Sequence, residues 1–228
     1  MNNFNLDDLL KELNPSSPCG ENMSLSPEFL QLENEAKFQP ERQMGNAIVP
    51  EKAPDWKTVH ELSYDLLNRS RDMQVATHLT CALVNIEGVL GLEKGLSLIN
   101  GLLQKYLCQV FPLKDADDEY PVMLVNTLCT INDAKKVIIP IRNYPLANSK
   151  IGKISWDIYE SAKAKSEAIS HLASQEDFNE YKKKNNEKNL PTTLEEAKKI
   201  SGDDFNALIQ GLQDADVASL TSTATSLN

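Results

Sequence analysis

Apolar residues recur every three or four positions along most of this chain, and the breaks between those runs fall at recognisable helix caps. Leu6, Leu9, Leu10 and Leu13 have helical spacing, and Asn14-Pro15 ends the run. Ser26-Pro27-Glu28 combines a capping hydroxyl, Pro at the first position and an early acid, which predicts a helix over residues 27–38, before Pro40. Residues 41–54 read as irregular. Asp55 is the expected N-cap of a helix whose core face is Trp56, Val59, Leu62, Leu66 and Leu67. Asp72 opens the next, with Val75, Ala76, Leu79, Ala82, Leu83 and Ile86 inward and Gly88 closing it. The most apolar helix is expected over residues 91–111, where Gly91, Gly95 and Gly101 permit a neighbouring helix to approach closely.

Beyond Pro112 the pattern thins. Helices are expected over residues 121–131 and 133–139, and then a looser connection over residues 140–153. Ser155 starts a helix over residues 156–172. Ser174 to Asp177 resembles a capping box that opens a very polar helix reaching about residue 188, and Thr193 to Glu196 repeats that signal, with Gly202 as the stop. A last stripe begins at Asp203-Asp204 with Phe205, Leu208, Ile209 and Leu212, and weakens through Ala215, Val217 and Leu220. It has no terminating signal, so a longer protein is expected to continue it. Val137-Ile138-Ile139 is the best strand candidate and has no evident partner. The fold class expected from this pattern is all-α, a multi-helix bundle with a polar helical C-terminal extension. It divides into a domain over residues 1–172, a polar linker over 173–202, and the truncated start of a further helical region over 203–228.

Composition narrows the function classes. In 228 residues, 41% are apolar, enough for a true core, and only nine are Gly, which favours helix. The net charge of −10 repels nucleic acid and anionic lipid, so neither is an expected partner. Lys182-Lys183-Lys184 reads as a solvated helix face. No apolar tract is long enough to cross a membrane, and residues 1–13 do not read as a signal peptide. Cys19, Cys81, Cys108 and Cys129 form no metal or redox spacing; the last three look like small core residues, and free thiols fit a reducing cytoplasm.

Candidate chemistry is sparse. The phosphate-cradling, nucleophile-elbow and metalloprotease motifs are absent from the sequence. His78 and Cys81 share a helix face but have no third group to complete a nucleophilic site, and both are expected at the edge of the core. Asp115, Asp117, Asp118 and Glu119 lack calcium-loop spacing. No catalytic residue, cofactor or metal is therefore expected. Trp56 is expected to anchor the core. Met44, Ile48 and Val49, in the segment 43–49, either pack down on the bundle, the favoured reading, or form a flap that binds a partner. Asp117 and Asp118 offer a second candidate contact.

Five stretches, in order, resemble the N-terminal domain of the TssA/ImpA family. Asn14-Pro15 through Pro18-Cys19-Gly20-Glu21 is similar to its P-I-x-x-x-x-P-C-G-E-D opening, and Pro54-Asp55-Trp56-Lys57-Thr58-Val59 to P-D-W-x-x-V. The segment 66–76, which contains Ser70-Arg71-Asp72, is similar to L-L-x-x-S-K-D-L-R-V-A. Gly88, Gly91 and Gly95 fall as in x-G-x-x-G-L-x-x-G-L, and Gly152 to Ser155 as in G-x-x-S. There are departures: Asn22 stands for an Asp, Tyr106-Leu107-Cys108 for a Trp-bearing stretch, and an Arg near Val125 is missing. The resemblance implies a helical domain over residues 1–172 without catalytic residues. It implies a cytoplasmic, non-enzymatic assembly component of the bacterial type VI secretion system that helps to position the baseplate and polymerise the sheath around its tube. Implied partners are baseplate, sheath and tube proteins, with self-association through a C-terminal region that this chain lacks. The competing expectations are a generic helical adaptor and a small-molecule-binding helical enzyme domain.

Overall fold

The structure, a computed structural model, describes residues 4–44, 47–114, 117–149, 152–187 and 189–214, which fall into two compact units divided between Ile141 and Arg142. In the first unit, α1 (Leu6–Leu9), α2 (Pro27–Glu35), α3 (Trp56–Leu67), α4 (Met73–Glu87), α5 (Val89–Tyr106) and α6 (Val122–Cys129) are followed by a 3-10 turn (Thr130–Asn132) and a π-helical turn (Ala134–Ile138). A short α7 (Ile139–Asn143) leads into the second unit.

Caps written in the sequence start these helices. Ser26 Oγ accepts the Phe29 N–H at 3.1 Å, Asp55 accepts that of Lys57 at 3.1 Å, and Asp72 accepts that of Gln74 at 2.7 Å. The core is built around α4, which is buried on nearly every side, as a central bundle helix must be. Leu79 and Leu83 pack there with Leu9, Leu32, Val59, Leu66, Leu98 and Leu102. α4 and α5 meet at close range because Gly91 has no side chain: a Cβ there would lie 2.0 Å from the Leu83 carbonyl oxygen. Gly88, with φ +67°, turns the chain from α4 straight into α5.

The expected all-α class is overturned: the fold is mixed, with two small antiparallel sheets. β1 (Arg42–Met44) pairs with β2 (Ala47–Val49) in the register Gln43↔Ile48, and a further bridge joins Gln39 to Lys52. β3 (Pro145–Ser149) pairs with β4 (Gly152–Ser155), with an irregularity between Pro145 and Ala147. Both hairpins lie in segments that the sequence reading left irregular. Strands this short carry too few residues for alternation to register, and each finds its partner only a few residues away. The Val137-Ile138-Ile139 stretch is helical, as expected for residues 133–139, and Asp133 caps it by accepting the Lys135 and Lys136 N–H groups.

The second unit contains β3, β4, α8 (Trp156–Ser170), α9 (Gln175–Lys184) and α10 (Leu194–Asp214). Ser174 and Asp177 complete the capping box of α9. Polar as α9 is, its Phe178 is buried with Ile169, Leu194 and Ala197, so the segment holds a small core of its own. That core joins α8, α9 and α10 within the second unit. α10 runs through Gly202, where the sequence predicted a stop. The position is open on all sides, so only helix propensity opposes it. The stripe beyond Asp214 lies outside the described residues.

Candidate docking surfaces

The residues that carry the motif series build the frame of the first unit. Cys19 is buried, and its carbonyl accepts the Arg71 N–H at 2.7 Å; Gly20 bridges Ser70 across the same seam. Gly20 has φ +76°, and a Cβ there would come within 2.2 Å of the Arg69 carbonyl oxygen, so this seam admits only Gly. Pro18 accepts from the Leu13 N–H at 3.0 Å, while Glu21 is exposed.

Arg71 lies at the centre of this frame. It is 1% exposed, and its guanidinium forms no ion pair among the described residues. Its guanidinium donates to the Lys11 carbonyl at 2.8 Å, the Asp8 carbonyl at 3.1 Å and the Leu67 carbonyl. These carbonyls lie at the C-terminal ends of α1 and α3, where orphan oxygens and the negative ends of the helix dipoles gather. One buried cation therefore satisfies two helix ends. Burial pulls its pKa down, partly offset by Tyr106 and Cys19. The sequence reading quoted Arg71 within a motif and assigned it no role. The available signal was a cation between Ser70 and Asp72, directly before an apolar helix.

Asp72 is buried beside it. Burial pushes its carboxyl up to about 6, against the Gln74 and Val75 N–H groups, which favour the anion. Asp55 differs: it is held below the usual carboxylate range by the Thr58 hydroxyl and the Lys57 N–H. Trp56 is half-buried, edge-on to Phe38 with ring centroids 6.3 Å apart. Gly95 lets α5 pass Thr80 of α4, whose Cγ2 would lie 2.4 Å from a Cβ at that position.

The candidate contact residues lie elsewhere. Ile48 is 68% exposed on β2, so it does not pack down as the favoured sequence reading had it; Val49 is half-buried. Met44 is the last residue of β1, and its side chain lies outside the described residues. Lys135 secures the base of this hairpin, pairing with Glu51 at 2.6 Å and lying 5.6 Å from the centre of the Phe38 ring. Asp117 is exposed and Asp118 half-buried; Asp115 lies outside the described residues. Cys108 and Cys129 are exposed, a correction to their expected core role: Cys108 follows the end of α5, and Cys129 ends α6 on its outer face.

Two concavities stand out among the described residues. In the second unit, Leu146, Ile154, Trp156, Tyr159, Ile209 and Leu212 line an apolar groove of about 520 Å³. In the first, a polar pocket of about 230 Å³ is lined by Glu33, Gln74, Thr77, His78, Cys81, Thr127, Thr130 and Lys136. His78 Nε2 lies 2.8 Å from Glu33 Oε1. Burial pushes the Cys81 thiol up to about 11, so it stays protonated and is a poor nucleophile. Sequence reasoning missed this pocket because five separate elements supply its walls: α2, α4, α6, the 3-10 turn and the π-helical turn. Among the described residues, no group of three or more His, Cys, Asp or Glu is arranged to hold a metal ion, and no helix is long and apolar enough to cross a membrane.

Comparison with known proteins assigns this frame to a family. The family model described as ImpA, N-terminal, type VI secretion system matches residues 10–133. The type VI secretion system component TssA1 of Pseudomonas aeruginosa is 43% identical over 121 residues, covering 53% of this chain and 35% of that protein. The matched region thus spans about a third of that relative's length. A solved N-terminal domain of the TssA component from Burkholderia cenocepacia, which includes the conserved ImpA_N region, covers 96% of this chain and 74% of that one. Its TM-score is 0.61 at 23% identity, a likeness of fold. The family match takes in more than half of the chain, from the Pro18 to Glu21 seam through the capped α3 and α4 to the end of the 3-10 turn, and the chain belongs to the ImpA N-terminal family of type VI secretion system proteins.

Proposed function

We propose that this chain is a non-enzymatic docking region of a type VI secretion assembly component, working in the bacterial cytoplasm to help position the baseplate and polymerise the sheath around its tube. The observation that carries the reading is the 43% identity to TssA1 over 121 residues, beside a family match that takes in the buried frame around Arg71. A buried, hydrogen-bonded frame is suited to presenting exposed residues in fixed positions. The β1–β2 hairpin with Ile48 and the segment bearing Asp117 and Asp118 are the contact surfaces we assign to it. Partners would be baseplate, sheath or tube subunits, engaged by protein–protein contact.

Affinity capture of the chain from its own bacterium, with bound proteins identified by mass spectrometry, tests the reading. Enrichment of baseplate, sheath or tube subunits is the expected result. Consistent enrichment of unrelated proteins alone would sink it in favour of a general helical adaptor. Replacing the hairpin tip and the acidic segment together is expected to weaken capture; unchanged capture would remove both surfaces from the assignment.

A further inference from the structure

The polar pocket of the first unit has an uneven electrostatic balance. Glu33 is already engaged by His78, 2.8 Å away. Three hydroxyl protons in its wall are also spent inside the protein. Thr77 donates to the Gln74 carbonyl at 2.8 Å, Thr127 to the Met123 carbonyl at 2.8 Å, and Thr130 to the Thr127 carbonyl at 2.6 Å. Lys136 is in a different state. Its backbone is committed, with the N–H given to Asp133 and the carbonyl taken by Asn85. Its ammonium forms no ion pair among the described residues, yet it is near enough to Glu33 and Cys81 to act on both. The Gln74 side-chain amide, on the same wall, is also without a hydrogen-bond partner among the described residues. Lys37 adds a second cation, without an ion pair among the described residues, whose field reaches Glu33. In a chain of net charge −10 this is a local concentration of donors not committed to other described side chains, around a concave site whose one carboxylate is Glu33.

We propose that this pocket is a carboxylate-binding site that seats one acidic side chain of a partner protein, with the Lys136 ammonium as the anchor and the Gln74 amide as the second donor. The proposal rests on the docking function given above and names the chemistry by which one contact would be made. A cationic group would meet Lys136 and find Glu33 already taken. A carboxylate completes Lys136 and Gln74 together, a charge-assisted pairing of the stronger kind. The protonated Cys81 thiol adds no opposing charge. The volume of about 230 Å³ suits a single side chain.

The test is a titration of the whole ¹⁵N-labelled chain, followed by NMR, with N-acetyl-glutamate methylamide. Its uncharged glutamine counterpart serves as control, and ionic strength is held constant. Shifts gathered at Gln74, His78, Thr127 and Lys136 with the glutamate probe alone are expected. Lys136→Met should weaken binding by roughly tenfold or more, and Lys136→Arg should retain most of it. Lys136 is partly exposed, so both variants are expected to keep the native spectrum elsewhere; Gln74→Leu serves as the independent variant. Absent shifts, an equal response to the glutamine probe, or full binding by Lys136→Met would overturn the proposal. Affinity capture then separates the two readings. Loss of captured secretion subunits in Lys136→Met supports the proposal. Undiminished capture by that variant overturns it while the docking function stands. Probe binding with no capture by the native chain overturns the docking function and leaves a site for a free carboxylate.

Discussion

Asp72 makes the stability of the first unit depend on pH in the direction opposite to the hydrogen-bonded carboxylates Glu28, Glu33 and Asp55. The group is 1% exposed, and burial raises its pKa from an ordinary value near 3.8 to about 6. The folded state therefore holds this proton more tightly than the unfolded chain does. Between about pH 4 and pH 6 the folded protein binds the extra proton, so stability is fully present below the unfolded pKa and falls as pH rises. A difference of about two units at 1.36 kcal/mol each gives a loss of about 3 kcal/mol across that window. Asp72→Asn keeps an oxygen that caps Gln74 and Val75 but cannot ionise. The variant should lose this slope, so its stability relative to the native chain rises by about 3 kcal/mol from pH 4 to pH 7. The groups with opposite trends, Glu28, Glu33 and Asp55 with lowered pKa values and His60 lowered by burial, are common to both proteins and largely cancel in the difference. Urea unfolding at several pH values, followed by Trp56 fluorescence in a Trp156→Phe background, measures it. A difference that stays flat, or that favours the native chain more as pH rises, would refute the argument and show that the amide hydrogen bonds outweigh burial.

Other substitutions probe the frame and the second unit. Arg71→Met leaves the Lys11, Asp8 and Leu67 carbonyls without their donor and should cost about 3 kcal/mol or more, read as a lowered urea midpoint for the first unit. Gly91→Ala drives a methyl group onto the Leu83 carbonyl and should destabilise by about 2 kcal/mol or more. Gly202→Ala meets nothing within 4 Å in mid-helix and should stabilise α10 by about 0.5–1 kcal/mol; thermal melts of the pair test the contrast. Phe178→Ala should cost about 3–5 kcal/mol and abolish amide-exchange protection in α9.

The helices were legible because their signals are local. Ser26, Asp55, Asp72, Ser155 and Ser174 each sit one residue before a helix and accept one of its free N–H groups. The hairpins were not, because three to five residues cannot establish a period, and residues 43–49 and 145–155 read equally well as loop. Gly202 was over-read: a lone Gly signals a helix end only when the chain has something to gain by turning there, and α10 keeps its stripe of Phe205, Leu208 and Ile209 beyond it. The exposure of Cys108 and Cys129 was hidden because an apolar neighbourhood in sequence does not say which side of a helix faces the core. The pocket was invisible for a related reason, since Glu33, His78, Thr127 and Lys136 meet only after four elements pack.

The motif residues and the candidate contact residues occupy different parts of the first unit, and that separation bears on what family membership can transmit. Pro18, Cys19, Gly20, Asp72 and Gly91 are tied to backbone geometry: a carbonyl accepting the Arg71 N–H, a positive φ, a cap, a helix crossing with no room for a methyl group. Changing any of them costs folding energy whatever partner is present, so they would persist in relatives with different docking partners. Ile48, Asp117, Gln74 and Lys136 carry no such load. Altering them costs the frame little and changes the surface that a partner meets. A relative that keeps the Cys19–Arg71 seam but replaces Lys136 and Gln74 with apolar residues should therefore fold alike and fail to bind the glutamate probe. Exchanging these two residues between such a relative and this chain should move probe binding with them, and probe binding that stayed with the frame would refute the separation.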